Sequence, residues 1–146
     1  MSKSKGQSNI GWAQLVKNPS GLCHGAHEKT LREIENKLGI KLPQSFLCFL
    51  AWRDGGFLTD KRFIIYSAGK GVHPEETLLA SNQNRPLTYP LFNIARDATY
   101  EFGFKKDELN TENPTVYAYI RDYDELDKIA ETFEEFLSWM ERKKKT

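Results

Sequence analysis

The stretch that most constrains the fold is AWRDGGF, residues 51–57, which closes a run of almost uninterrupted apolar side chains at residues 46–52. A helix that is apolar on nearly every side must be covered by the rest of the fold. The glycines that follow, Gly55 and Gly56, permit positive φ and a close backbone approach. A phosphate-binding loop would place its glycines before a helix, so that amides point at the anion. The sequence therefore predicts a buried helix over about 43–53, capped by a glycine corner that returns the chain into a sheet.

An amphipathic helix is predicted upstream of this buried one. Apolar residues recur at helical spacing over residues 28–38. Gly39 follows directly and is predicted to be the left-handed C-cap. Pro43 fits the first position of the buried helix, because it has no amide hydrogen to leave unpaired there.

The second half of the chain is predicted to be mostly strands. Four short runs have apolar or alternating patterns: residues 63–66, 91–95, 100–104 and 115–121. Residues 67–89 are weakly patterned, with a short helix predicted to open at Pro74. Thr132 and Glu135 form a capping box that opens a last helix. Helices, then strands, then a closing helix indicate an α+β domain.

Length and cysteine usage indicate one cytoplasmic domain. A chain of 146 residues fits a single domain, with a disordered tail predicted at 1–9, the domain at 10–141 and a basic tail at 142–146. Two cysteines without a signal peptide indicate reduced thiols in the cytoplasm. No apolar stretch approaches the roughly 18 residues of a membrane span, so no membrane association is expected. The sequence does not indicate an oligomeric state.

The charge is unevenly distributed along the chain. The formal net charge is +1, yet residues 107–135, the acidic segment, contain ten acidic and two basic side chains. An acidic segment disfavours nucleic acid as a partner and favours a basic protein.

Two clusters contain ligand-type side chains: Cys23, His24 and His27, and Asp122, Asp124 and Asp127. The first lacks a second cluster to complete a tetrahedral zinc site, and the second lacks the glycine and closing glutamate of an EF-hand loop. Cys48 lies inside the apolar helix and is interpreted as a small core residue. We therefore expect no catalytic, cofactor or metal site.

The strand at 115–121 has two distinct faces. Alternation places Tyr117, Tyr119 and Arg121 opposite Val116, Ala118 and Ile120. If the first three are exposed together, they have the composition of a protein-binding hot spot. The alternative is that they pack beneath the N-terminal helices, and the pattern leaves both interpretations open.

Three segments resemble the SUKH superfamily, which includes the fungal Smi/Knr cell-wall-assembly regulators. LREIENKLGIKLPQSFLCFLAWRDGGF is similar to its N-terminal signature, LFNIARDATYEFGF to its strand–turn–strand around an aspartate, here Asp97, and NPTVYAYIRDYDELDKIAETFEEFLSWM to its closing strand and helix. The signature positions in this chain are Leu38-Gly39, Leu42-Pro43, residues 46–50 and Asp54-Gly55-Gly56. The family turn after the aspartate usually carries glycines, where this chain has Ala98-Thr99-Tyr100.

The resemblance implies helices packed on one central, mostly antiparallel sheet, without cofactors. It implies a non-enzymatic binding role, as an immunity protein that neutralises a bacterial toxin domain; the alternative is a regulatory or scaffolding protein of the Smi/Knr type. With the acidic segment, it leads us to expect a basic toxin domain as the partner. Six residues of the acidic segment are the predicted contact: Tyr117, Tyr119, Arg121, Asp122, Asp124 and Asp127.

Overall fold

The structure, a computed structural model, describes residues 22–58, 63–69, 77–83 and 89–143. Four α-helices occur in these ranges: α1 (Glu28–Leu38), α2 (Gln44–Trp52), α3 (Leu78–Gln83) and α4 (Phe133–Lys143). Seven strands accompany them: β1 (Leu22–His24), β2 (Arg53–Leu58), β3 (Phe63–Ile65), β4 (Leu91–Arg96), β5 (Glu101–Lys105), β6 (Val116–Ile120) and β7 (Glu125–Ala130). The predicted α+β class is confirmed.

The seven strands form one sheet in chain order, from β1 to β7, and every neighbouring pair is antiparallel. In such a meander, alternate connections fall at the same end of the sheet. The β4–β5 turn and the β6–β7 turn therefore lie together, at what we call the turn end. The β5–β6 connection and the start of α4 lie at the opposite, far end.

The main core lies between one face of the sheet and the helices. Phe46 and Phe49 of α2 contact Phe133 of α4 edge-on, with ring centroids 5.4 and 5.3 Å apart. Phe104 of β5 contacts Phe46 in the same way at 5.9 Å. Edge-to-face pairs at such distances add to the stability gained from burial. These rings fix α2 and α4 against the centre of the sheet.

The two N-terminal helices begin and end close to the predicted residues. Gly39 ends α1 with φ 69°, and its N–H donates to the Glu35 carbonyl at 2.8 Å, as a left-handed cap does. Pro43 is the N-cap of α2 and not its first helical residue, because its ψ of 147° is extended. Its carbonyl still accepts the N–H of Leu47 at 2.9 Å.

The glycine corner differs from the prediction in one respect. Gly55 and Gly56 have the predicted positive φ, 75° and 120°, but they lie inside β2. The chain leaves α2 at Arg53, which is extended at φ −143° while its N–H still donates to Phe49. An ordinary residue thus makes the corner, and the prediction that a glycine caps α2 is wrong. The predicted close approach is present, since a Cβ on Gly55 would lie 2.5 Å from the Ile65 carbonyl oxygen.

The weakly patterned segment contains α3, which begins at Leu78; the start predicted at Pro74 lies outside the described residues. Asn82 of α3 binds the backbone of β4. Its side-chain oxygen accepts the Asn93 N–H at 2.8 Å, and its amide donates to the Asn93 carbonyl at 3.0 Å. Beside the short β3, the Asn82 side chain thus makes the two hydrogen bonds to Asn93 that a neighbouring strand would otherwise make.

The last helix is capped from two directions. Thr132 Oγ1 accepts the N–H of Glu135 at 3.1 Å, and Glu135 reaches back to the N–H of Glu131 rather than to Thr132 itself. Asn113, twenty residues earlier, accepts the N–H of Phe133 at 2.9 Å through its Oδ1. The loop before β6 is thereby tied to the start of α4.

Candidate partner-binding site

The β4–β5 turn is built around Asp97. Its Oδ1 accepts the N–H groups of Thr99 and Tyr100 at 2.8 and 2.7 Å, and its own N–H donates to the Tyr100 carbonyl at 3.0 Å. None of the three residues after Asp97 has positive φ. The turn therefore forms without the glycines usual in the family, because the carboxylate satisfies the amides.

The β6–β7 turn is held by Tyr119. The chain passes through a short 3₁₀ segment, Arg121–Tyr123, and then Asp124 at φ 51°. Aspartate tolerates this left-handed conformation better than most residues. The Tyr119 hydroxyl donates to Asp124 Oδ1 at 2.9 Å, which fixes the turn to the strand before it.

Tyr117, Tyr119 and Arg121 do not form the exposed group that one interpretation expected. Tyr119 is only 8% exposed, and its ring packs edge-on against Tyr89 at 5.2 Å. Tyr117 is half-buried, with the Lys105 ammonium 4.6 Å from its ring centroid. The Arg121 side chain lies outside what the structure describes.

The alternative, burial beneath the N-terminal helices, also differs from the structure. Tyr119 belongs to a second apolar cluster with Tyr89 and Leu91, packed with Tyr117 and Leu126. By strand alternation, this cluster lies on the sheet face opposite the helical core. Periodicity separated the two faces of β6 correctly, but nothing local to β6 indicated that residues 89–91 cover the second face.

Tyr123 is the exposed aromatic residue of this region, and the sequence interpretation missed it. Its side chain is 73% exposed, the single exposed large hydrophobic residue in the described ranges. It stands between Asp122 and Asp124, which are also exposed. The signal was available in the sequence DYDE, residues 122–125, since an aromatic residue inside an acidic turn has no core to enter.

An open cleft of about 630 Å³ separates the two turns. Arg96, Tyr100 and Glu101 line it from the first hairpin, and Asp122 and Tyr123 from the second. We call the two turns and this cleft, residues 96–101 and 119–124, the turn-end surface. It combines an exposed aromatic ring, negative charge and backbone fixed by hydrogen bonds.

The acidic segment does not form one continuous face. Four of its carboxylates lie in the β6–β7 turn or follow it on β7: Asp122, Asp124, Glu125 and Asp127. Six lie near the far end: Asp107, Glu108, Glu112, Glu131, Glu134 and Glu135. Along β7, Glu131 lies about 20 Å from Glu125 at the turn and about 13 Å from Asp127. The single steering face expected from the sequence is therefore two acidic groups at opposite ends of β7.

Three of the six far carboxylates make local contacts. Glu131 pairs with Lys128, Glu134 accepts a hydrogen bond from Asn113 at 2.8 Å, and Glu135 caps α4. In the turn-end group, the carboxylates of Asp122 and Asp127 form neither ion pairs nor hydrogen bonds within the described part of the chain. Carboxylates without a side-chain partner therefore occur in both groups, and those of the turn-end group lie beside Tyr123.

Asp54, the aspartate of the Asp-Gly-Gly signature, is buried in β2. Its two carboxylate oxygens accept the N–H groups of Ala68 and Gly69 at 2.7 and 3.0 Å. Burial raises the pKa of this carboxyl above its usual range, and the two backbone hydrogen bonds oppose the rise. Asp54 thus anchors the backbone that follows β3, which is a structural role.

Among the residues that the structure describes, no group of three or more ligand-type side chains could hold a metal ion. His24 and His27 flank the start of α1, and the side chain of Cys23 is not described. None of the helices in those ranges is long and apolar enough to cross a membrane.

An antiparallel meander with helices on its main core face defines an α+β domain, here with an acidic, tyrosine-bearing end. Residues 25–139 match the SMI1 / KNR4 family (SUKH-1), and the chain belongs to this family, as its motifs predict. No curated protein matches the chain. Membership supports a non-enzymatic SUKH-type domain.

Proposed function

We propose that the protein is an immunity protein that neutralises a bacterial toxin domain by binding it through the turn-end surface. The observation that carries this proposal is the exposed ring of Tyr123 between Asp122 and Asp124, beside the open cleft. Tyrosine is enriched among residues that dominate binding energy, because it combines a large apolar ring with a polar tip. At 73% exposed, the ring gains little from burial within its own chain.

The surface is organised before the partner arrives. Asp97 fixes the first turn and the Tyr119–Asp124 hydrogen bond fixes the second. A surface that is already ordered loses less conformational entropy on binding, which favours affinity.

The partner is expected to be basic. Asp122, Glu125 and Asp127 are exposed and would raise the association rate of a positively charged protein. A toxin domain that binds nucleic acid has a positively charged surface of this kind. The same carboxylates repel phosphate, so nucleic acid itself is not the ligand.

The test is the association rate with a toxin domain that is found encoded next to this gene, measured at several salt concentrations. Two matched variants each remove two exposed charges: Asp122→Asn with Glu125→Gln at the turn end, and Asp107→Asn with Glu112→Gln at the far end. The wild-type rate should fall as salt rises, and the turn-end variant should associate more slowly with a flatter salt dependence. The far-end variant should behave as wild type. Equal rates for both variants would contradict the assigned surface.

Tyr123→Ala tests the anchor separately. Loss of a hot-spot side chain costs about 2 kcal/mol or more, which corresponds to a dissociation rate about thirtyfold faster. Co-expression with the toxin domain tests the role itself, since wild type should restore growth. Failure to restore growth, or a neighbourhood without a toxin gene, would favour the regulatory role of the Smi/Knr type.

A further inference from the structure

A second, smaller cavity of about 230 Å³ adjoins the turn-end surface beneath α4. Its floor is formed by the buried Phe63 and Ala118, and Trp139 and Ile129, both half-buried, form its sides. Small-molecule pockets usually measure about 300–1,000 Å³. This cavity is smaller, and its size suits a single side chain of a partner.

The aromatic wall of the cavity is fixed in place. The ring of Trp139 stacks on Phe136 with an interplanar angle of 14°, and it contacts Phe63 and Phe102 edge-on at 5.8 and 5.5 Å. Tyr100, from the first turn, completes the lining. An indole ring fixed in this way attracts a cation placed over its face, through a cation–π interaction.

Two carboxylates complete the lining of this aromatic cavity. Asp97 uses Oδ1 to close its turn, and its Oδ2 has no hydrogen-bond partner in the described residues. Asp127 is exposed and forms no ion pair there. An apolar occupant would bring two carboxylates close to apolar surface without a compensating charge, which is unfavourable.

We propose that this cavity receives an arginine side chain of the protein partner. The guanidinium stacks on Trp139 while its forked N–H donors reach Asp97 and Asp127. Arginine fits better than lysine because its planar, weakly hydrated group both stacks and donates in two directions. Asp97 and Tyr100 line both this cavity and the larger cleft, so the inference rests on the proposed function and names one anchor of the same interface.

The cavity can be tested without the partner. N-acetyl-arginine amide is titrated to millimolar concentration while the Trp139 indole N–H is followed by NMR. N-acetyl-citrulline amide, which has the same shape without the charge, is the matched probe. We expect a saturable shift with the arginine probe alone. An equal shift with the citrulline probe would overturn the proposal.

Two substitutions test whether the carboxylates of the cavity bind the arginine probe. Asp127→Asn removes a carboxylate that makes no internal contact, and Asp97→Asn keeps the oxygen that closes the turn. Each should weaken binding of the arginine probe at least about threefold, the scale of a partly exposed ion pair. Asp122 lines only the larger cleft. Asp122→Asn is therefore the control and should leave binding of the arginine probe unchanged. Unchanged binding by Asp127→Asn would refute an arginine site.

The same variants separate this inference from the proposed function. If the toxin domain binds wild type and Asp127→Asn with equal affinity, the arginine pocket is refuted and the immunity role stands. If the arginine probe saturates the pocket as described but the toxin domain does not bind, the pocket stands and the immunity role fails.

Discussion

Substitution of Gly55 by alanine tests the close packing of β2 against β3. The added Cβ would lie 2.5 Å from the carbonyl oxygen of Ile65 and 2.9 Å from both the Tyr66 carbonyl carbon and Ser67 Oγ. Ser67 can rotate away, but the Ile65 carbonyl belongs to the backbone of a strand paired on both sides. The clash can be relieved only by moving a central strand.

Two terms contribute to the expected cost. Alanine at φ 75° is in the left-handed region, which costs about 1–2 kcal/mol for a residue with a Cβ. Forcing a methyl group into a close-packed site costs a further 1–3 kcal/mol or so. The Gly55→Ala protein should therefore lose about 2–5 kcal/mol of unfolding free energy.

Gly39 provides a matched control. Its φ is 69°, close to that of Gly55, but a Cβ there would meet nothing within 4 Å. Gly39→Ala should therefore show the conformational term alone, about 1–2 kcal/mol. The measurement is urea unfolding of both variants, followed by tryptophan fluorescence and circular dichroism. If the two variants lose the same free energy within about 0.5 kcal/mol, the packing argument is wrong.

Two further predictions concern buried contacts. Asp54→Asn leaves an amide facing one of the Ala68 and Gly69 N–H donors, which should cost about 1–3 kcal/mol. Because the pKa of Asp54 is raised in the folded state, protonation of its carboxyl favours folding, and this contribution is lost as pH rises from the ordinary aspartate pKa of 3.8 through the raised pKa. Urea unfolding from pH 4 to 7 should show that the difference in unfolding free energy between wild type and Asp54→Asn becomes smaller as pH rises. A difference that grows with pH would contradict the raised pKa of Asp54. Asn113→Ala removes the acceptor for the Phe133 N–H and should cost about 1 kcal/mol, or a melting temperature about 2–4 °C lower. Glu134→Ala, which removes only the hydrogen bond from the Asn113 amide and keeps the cap, should lose less.

The elements that the sequence predicted well are those set by local chemistry. The predicted span of α1 was 28–38, and Gly39 ends it at positive φ. Apolar spacing and a terminal glycine act within one or two turns of chain, so a single sequence contains the necessary information. The β4–β5 hairpin was also predicted, since its strands alternate around a short polar turn.

The contacts that the sequence could not predict join residues distant along the chain. Asn82 replaces a strand partner for Asn93, eleven positions away, and Asn113 caps a helix that begins twenty positions later. An asparagine in a loop can serve many such roles, and the fold decides which one. The burial of Tyr119 has the same origin, because Tyr89 lies against it from another element.

The division of the acidic segment changes where binding chemistry can occur. At physiological salt the screening length is about 8 Å, whereas the two acidic groups lie about 13–20 Å apart along β7. Each group therefore acts on an approaching protein almost independently. Half of the far group makes internal contacts, and the group has no exposed large hydrophobic residue among those described. The turn end combines unpaired carboxylates, the exposed ring of Tyr123 and an aromatic cavity, so in the proposed complex the charge that would accelerate encounter lies beside the groups that would hold the partner.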